Sequence, residues 1–368
     1  MIKALSVVWI AFCGGIKPRR CLDYRGFMND IELYNIALPL LKDIGLKGEI
    51  SITHLSGGMN NRVFKAQGRG KAFLLKLYFT SSKDLRDRGS TEFSFCNFAW
   101  KNGIKSVPEP YIFDSKNHLG VYEFIEGSSF KAGSIERRHV DAAVDFFLSL
   151  NACRDTDLAK ALPPASEACF SIDQHITCID KRVSRLNQIK IASDIDNEAH
   201  SFVSNRLIPF WLELKERVIE DADSFGLDVS YLLPEQLRCV SPSDFGFHNA
   251  LLQSDGSIRF FDFEYAGWDD PAKAVCDFFF QPAVPVPEAL CRRFAAAVLD
   301  IFKEDDGLNK RIQLLRRLYG VKWCCIILNE FLAVDSKRRS FACGSDLALR
   351  KSTQLSKAAN LLSQLQDF

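Results

Sequence analysis

The chain has 368 residues, 47% hydrophobic and 25% charged, and its 47 Lys and Arg against 46 Asp and Glu leave a net charge of +1. That length and apolar content suffice for two lobes around a large core, and so even a balance gives no electrostatic basis for binding nucleic acid or a membrane surface. Its 12 cysteines include no C-x-x-C pair and do not alternate with histidine, so they point to neither a zinc module nor a disulfide framework and read as reduced thiols of a cytoplasmic protein.

Residues 1–28 read as an extension. Residues 4–16 are an apolar run between Lys3 and a basic stretch at 17–20, too short to span a bilayer and followed by no small-residue cleavage site. Globular patterning begins at Met28, an expected alternative start of translation. Over 29–44, Ile31, Tyr34, Leu38 and Leu41 recur at helical spacing, with Pro39 as a candidate kink. Residues 49–55 alternate as a strand, a turn containing Gly57, Gly58, Asn60 and Asn61 follows, and a second strand covers 62–66. A glycine pair between strands lets backbone amides approach a phosphate closely; the same residues also fit an ordinary hairpin turn. No G-x-x-x-x-G-K-[ST] occurs, which excludes a P-loop.

An apolar strand over 72–79 carries Lys76 at its middle, where an ammonium must reach solvent or meet an acid. The helix expected over 90–102, with Ser90 as its cap and Gly103 as its stop, holds Glu92 in its first turn on the face of Phe95, Cys96 and Ala99. Strands near 107–113 and 119–127 complete a set of five. Past Gly127 the pattern turns helical, with helices expected over 134–150 (capped by Ser134), 171–190, 197–224, 286–303, 310–333 and 345–366, and a further one capped by residues 268–271.

Between these helices stands the stretch 241–267, with Asp244, Asn249 and Asp262. Two short strands joined by Ser254-Asp255-Gly256 read as a hairpin that brings Asn249 and Asp262 together at its open end, with Asp244 in the loop before it. Oxygen ligands for Mg²⁺ and one carboxylate base on a single point are the minimum for moving a phosphoryl group from a nucleotide to a hydroxyl.

The D-x-x-x-x-N of 244–249 followed by Asp262-Phe263 resembles the catalytic loop and metal-binding Asp of the protein-kinase-like fold. Residues 262–267, Asp-Phe-Glu-Tyr-Ala-Gly, are similar to the choline and ethanolamine kinases within the group that also contains the aminoglycoside phosphotransferases. The resemblance implies an α+β, two-lobed fold. Its N-terminal nucleotide-binding lobe, with an antiparallel five-stranded sheet and a helix, would cover 29–127, and a mostly helical catalytic and substrate lobe 128–368. It implies ATP and Mg²⁺ as cofactors, Asp244 as base, and Asn249 and Asp262 as metal ligands. Lys76 would fix the nucleotide phosphates with Glu92 as its partner, Gly57, Gly58 and Asn60 would cover them, and the backbone from Glu123 to Ile125 would meet the adenine edge. Glu264, Trp268 and Asp269, after the metal Asp, and the pair Trp323 and Glu330 are expected at the acceptor, a sugar, amino-sugar or choline-like alcohol.

Three departures mark the chain. Pro242-Ser243 replaces the group's usual His-Gly or His-Arg, Gly246 stands where a His is usual with His248 displaced beside Asn249, and D-P-x-x-D is stretched to Asp270-Pro271 and Asp277. No A-P-E follows Asp262, which favours a small acceptor over a protein. A nucleotide-binding protein of this fold without transfer activity is the other alternative.

Overall fold

A computed structural model of the chain describes residues 30–55, 61–80, 86–332 and 347–366. The expected extension and the turn residues Gly57, Gly58 and Asn60 lie outside the described residues. Strands β1 (Ser51–Leu55), β2 (Arg62–Gly68), β3 (Lys71–Leu77), β4 (Pro110–Asp114) and β5 (Leu119–Glu123) form one antiparallel sheet in the order β1-β2-β3-β5-β4. The alternation of a strand sorts its side chains between two faces. Along β3, Phe73 and Leu75 pack with Leu33, Ala37 and Leu41 of α1 (Asp30–Asp43), whereas Lys76 turns to the opposite face, toward α2 (Arg88–Lys101).

Helix α2 starts two residues earlier than expected. Asp87, not Ser90, caps it, its carboxylate accepting the Ser90 backbone N–H at 3.0 Å, so Glu92 falls in the second turn and not the first. Gly103, at φ +83°, follows the helix end in the left-handed conformation that a helix stop favours.

Beyond this sheet the chain is mostly helical: α3 (Arg137–Ala152), α4 (Asp157–Lys160), α5 (Ile172–Arg185), α6 (Asp194–Phe202), α7 (Ile208–Ser224), α8 (Pro271–Phe280), α9 (Glu288–Ile301), α10 (Leu308–Leu328) and α11 (Leu347–Gln366). The expected caps Ser171 and the 268–271 stretch hold, with Asp270 accepting from Ala272 at 2.8 Å. Ser134 does not cap α3; its hydroxyl donates to Lys131 O at 2.7 Å in a turn, and the helix begins after Glu136. A π-helical turn at Val203–Leu207 divides the expected 197–224 helix in two. Among the described residues no helix is long and apolar enough to cross a membrane, and all nine cysteines are free thiols.

Short strands β6 (Ser128–Ser129), β7 (Cys239–Ser241), β8 (Ala250–Leu252), β9 (Ile258–Phe260) and β10 (Gly267–Asp269) frame the stretch of interest. Strands β8 and β9 are the expected hairpin, its turn made by Gly256 at φ +85° and by Asp255, which accepts the Ser257 N–H at 2.9 Å. Strand β6 extends that hairpin to three strands, and β7 pairs with β10.

Phenylalanines fill the space below. Phe245 and Phe247, which follow Asp244 on either side of Gly246, are 5% and 1% exposed and pack against Phe146, Phe260, Phe278 and Phe294, with ring pairs such as Phe278–Phe294 stacked at 4.3 Å. Each buried ring contributes about 1.5–3 kcal/mol by leaving water, and this anchors the loop that carries Asp244.

Gly267 sits at φ +155°, and a Cβ there would lie 2.2 Å from Pro163 O and 2.8 Å from Ala165 N, both backbone atoms with no side chain to yield. Gly267→Ala is expected to cost about 2–3 kcal/mol. A urea unfolding midpoint unchanged from the parent would contradict that reading.

Candidate active site

The site assembles on the face of β3 that alternation turns away from α1. Lys76, 6% exposed, donates to Glu92 Oε2 at 2.6 Å and to Asp262 Oδ1 through a shorter contact. Glu92 is fixed from two further directions: Tyr78, itself hydrogen-bonded to the Tyr122 hydroxyl at 2.8 Å, donates its hydroxyl at 2.8 Å, and Phe263 N–H reaches Glu92 Oε1 at 3.3 Å. A lone buried ammonium would cost several kcal/mol; here two carboxylates compensate it. Burial favours the neutral amine of Lys76, but Asp262, Glu92 and Glu264 outweigh burial and hold it well above the ordinary lysine range.

Asp262 follows β9 with φ at +67°, a left-handed conformation that is uncommon outside glycine and accumulates at functional sites. Burial pushes its carboxyl up to about 6; Lys76 opposes the shift, while Glu264 and Glu92 reinforce it. Ser243, one residue before Asp244, also has a positive φ, at +66°.

The loop from β7 to β8 is tied down at each step. Asn151 of α3 exchanges two hydrogen bonds with the Val240 backbone, at 2.9 and 3.1 Å, and Ser241 Oγ accepts the Ser243 N–H at 3.0 Å. These contacts supply the support that Pro242-Ser243 lack in their side chains. Asn249 Nδ2 donates to Asp244 O at 3.0 Å, which fixes the amide and leaves its Oδ1 as the oxygen free to ligate, and Phe261 N donates to Asn249 O at 3.0 Å, tying the loop to the residue before Asp262. His248 Nε2 lies 3.2 Å from Asp244 Oδ1. Burial would raise the Asp244 carboxyl, yet the His248 hydrogen bond and charge, then Lys322 and Asn249, prevail and hold it below the ordinary carboxylate range.

Asp262 and Asn249 thus both carry side-chain oxygens close to the open end of the hairpin. Among the described residues no cluster of three or more His, Cys, Asp or Glu gathers into an all-protein metal cage. A pair of oxygen ligands fits Mg²⁺, which binds through one or two such groups and completes its shell with phosphates and water.

Several residues expected at the acceptor stand elsewhere. Glu264 is 2% exposed and bound by Asn61 Nδ2 at 2.6 Å, with Arg88 at 3.6 Å. It lies in a turn closed by Ala266 N–H donating to Phe263 O at 3.1 Å, while Phe263 enters the core between Phe95 and Phe146. Asp269 is fully buried against Lys273, and Trp268 donates its indole N–H to Ala159 O at 2.9 Å. Glu330 lies past the end of α10 and is buried at 3.1 Å from Arg350 of α11, because the packing of these two helices closes over it. Glu123 engages Arg259 with contacts of 2.5 and 3.2 Å, and its backbone N–H donates to Glu109 O at 2.8 Å.

Trp323 does reach a cavity. It is a hollow of about 410 Å³ beside Asp244 and His248, with Asp277, Lys322 and Tyr265 also in its wall. Neither Lys76 nor Asp262 lines it, whereas Asp244 and His248 do. Trp323 Nε1 donates to Asp277 at 3.2 Å, and Lys322 donates to both Asp277 oxygens at 2.9 Å.

The family model described as the phosphotransferase enzyme family matches residues 51–311. No curated protein matches the chain. Among solved structures, the choline kinase LicA from Streptococcus pneumoniae superposes with a TM-score of 0.55 at 16% identity, covering 90% of this chain and 99% of its own. Spectinomycin phosphotransferase APH(9)-Ia, solved with ADP and spectinomycin, gives 0.58 at 11% identity over 91% and 98% of the two chains. An ethanolamine kinase from Plasmodium vivax gives 0.53 at 15% identity over 92% and 91%. At these identities the likeness concerns the fold: a five-stranded antiparallel sheet followed by a mostly helical region.

Proposed function

The chain belongs to the phosphotransferase enzyme family, and from that premise we propose that it transfers the γ-phosphoryl group of ATP to a hydroxyl of a small molecule. The observation that carries this reading is the cluster of Lys76 between Glu92 and Asp262, with Asp244 and Asn249 in the adjoining loop. The spectinomycin phosphotransferase was solved with ADP and LicA with AMP, which supports a nucleotide in this fold. An enzyme drawing on ATP belongs in the cytoplasm.

In this reading Lys76 holds the α- and β-phosphates, and Glu92 with its tyrosine contacts keeps the ammonium in place. Asn249 and Asp262 hold Mg²⁺, which supplies charge neutralisation of the phosphate oxygens. Asp244 orients the acceptor hydroxyl and takes its proton as the oxygen bonds to the γ-phosphorus and the bond to the bridging oxygen of the leaving ADP breaks. A carboxylate of depressed pKa is ionised throughout the neutral range, as that role requires. Catalysis comes from position and charge, since phosphoryl transfer asks little covalent chemistry of the protein.

The test is ADP release that requires both Mg²⁺ and an added hydroxyl compound. Nucleotide binding with no acceptor-dependent release over a broad panel of alcohols, sugars and amino sugars would count against transfer. His248 orients Asp244, so His248→Ala is expected to lower kcat about tenfold, with the KM for ATP unmoved. His248→Gln, whose amide reaches about as far, is expected to recover most of that loss; equal damage in both variants would remove His248 from the account.

A further inference from the structure

Two cysteine thiols meet behind the wall of the cavity beside Asp244. Cys169 lies in the segment leading into α5, ahead of the helix cap Ser171, and Cys178 lies in the second turn of that helix. Helix side chains lean toward the N-terminus, so Cys178 leans back over the incoming segment, and the two thiols stand in hydrogen-bond contact. Both are tied to Glu167. Cys169 Sγ reaches Glu167 O at 3.4 Å, and Arg182, one turn after Cys178 on the same face of α5, donates from Nε to the Glu167 carboxylate at 3.1 Å. Glu167 holds a left-handed φ of +57°, a conformation that persists outside glycine only where surrounding contacts fix it. Glu167 and Arg182 line the cavity, so the thiol pair stands one contact behind its wall.

The two thiols are unequal, as a redox pair requires. Cys178 is half-buried, whereas Cys169 is buried. The Cys169 hydrogen bond holds the Cys178 thiol below the ordinary cysteine range; Lys322 and Arg182 support that shift, and burial and Glu167 oppose it. Cys239, Cys276 and Cys324 stand in contrast, each pushed well above the ordinary range by burial.

We propose that Cys169 and Cys178 form a peroxide-sensitive dithiol, and that its oxidation to a disulfide reshapes the cavity beside Asp244. The Cys178 thiolate attacks one oxygen of hydrogen peroxide. The O–O bond breaks, a sulfenic acid forms on Cys178, and the departing hydroxide leaves as water with the proton that Cys178 gave up. The Cys169 sulfur then attacks the sulfenic sulfur, the S–O bond breaks, and the second water carries off the Cys169 proton. Two thiols and one peroxide thus give one disulfide and two waters, and the sulfurs lose the two electrons that the peroxide gains. An S–S bond of about 2.05 Å is far shorter than a thiol contact, so Cys169 is drawn toward Cys178 and its S–H is no longer present for Glu167 O. Glu167 then loses one of the contacts that hold its backbone, and the Glu167–Arg182 pair of the cavity wall shifts with it.

The experiment exposes the reduced full chain to stoichiometric hydrogen peroxide and reads it by intact mass and by peptide mapping without reductant. Expected is the loss of two hydrogens, a peptide pair joined through Cys169 and Cys178, and full reversal by dithiothreitol. Cys169→Ser keeps a donor toward Glu167 O and is expected to stop at the sulfenic acid on Cys178, which dimedone captures; Cys178→Ser is expected to give neither product. Oxidation confined to other cysteines, or a linked peptide that lacks either residue, would overturn the dithiol. The effect on the cavity rests on the kinase reading above. On oxidation, kcat/KM for an acceptor that supports ADP release is expected to fall about tenfold and to return with dithiothreitol. Calorimetric ATP binding is expected to stay as it was, because Lys76 and Asp262 do not line the cavity. A disulfide that leaves kcat/KM unchanged would overturn the reshaping of the cavity. Absence of ADP release from both forms would count against the kinase reading alone, and mass and mapping would still decide the dithiol.

Discussion

Asp244→Asn is expected to lower kcat by about 10²–10⁴-fold, the usual contribution of a positioned general base, while ATP still binds. The separation follows from geometry: Asp244 lies in the cavity wall, and the Lys76–Glu92–Asp262 cluster does not. An asparagine keeps an oxygen toward His248, and the loop is anchored independently by buried Phe245 and Phe247 and by Asn249, so the fold survives. Stability moves in a defined direction. A carboxyl held below its ordinary pKa contributes stability above the unfolded-state value, and that contribution is lost as pH falls through the folded-state value. The variant therefore loses a small stabilisation at neutral pH and none in strong acid. Turnover within twofold of the parent in a stopped-flow or steady-state assay would remove Asp244 from the chemistry.

Asp262→Asn is expected to lower kcat by about 10³-fold and to raise the Mg²⁺ concentration needed for half-maximal activity, since the variant loses the charged ligand. Its effect on stability has the opposite sign to that of Asp244→Asn. Asparagine tolerates the left-handed φ of +67°, and Lys76 keeps Glu92. The carboxyl at 262 has its pKa raised to about 6 by burial and by the neighbouring Glu264 and Glu92. A carboxyl with a raised folded-state value contributes stability that is full below the unfolded value and lost as pH rises through about 6. At neutral pH, ionised Asp262 thus works against the ligand-free fold, and the neutral amide relieves it. The melting temperature of the variant is expected to be no lower than the parent's at neutral pH, with the difference shrinking in mild acid. A variant that melts well below the parent at neutral pH would show that Lys76 depends on Asp262 more than on Glu92.

What the sequence discloses is local. Alternation along 72–79 placed Lys76 on one strand face, and Asp255-Gly256 with flanking apolar pairs specified the hairpin that joins Asn249 to the residue before Asp262. Helix starts were legible to within two or three residues, because Asp87 and Ser90, or Ser134 and Glu136, offer neighbouring caps and only the packed helix chooses. Strands β6, β7 and β10 are two or three residues long, too short for alternation to register. The cavity wall left no trace of its purpose. Its charges come from Arg86, from α5, from α10 and from α11, which no spacing links, and Glu167 is held at a positive φ of +57° that its own neighbours do not announce. Tyr78 and Tyr122, which brace Glu92, read from sequence only as strand aromatics. Glu264 misled because an acid two residues past Asp262 suggests a substrate contact, whereas the turn it occupies sets it against Asn61 and Arg88.

The central claim is that Lys76, Asn249 and Asp262 form a site for a nucleotide with Mg²⁺, and it can be tested without knowing the acceptor. The measurement is calorimetric titration of the full chain with ATP, with and without millimolar Mg²⁺, beside Lys76→Ala. Saturable binding that tightens with Mg²⁺ and weakens about tenfold or more in the variant is the predicted result. Absence of ATP binding by the folded parent in the presence of Mg²⁺ would contradict it.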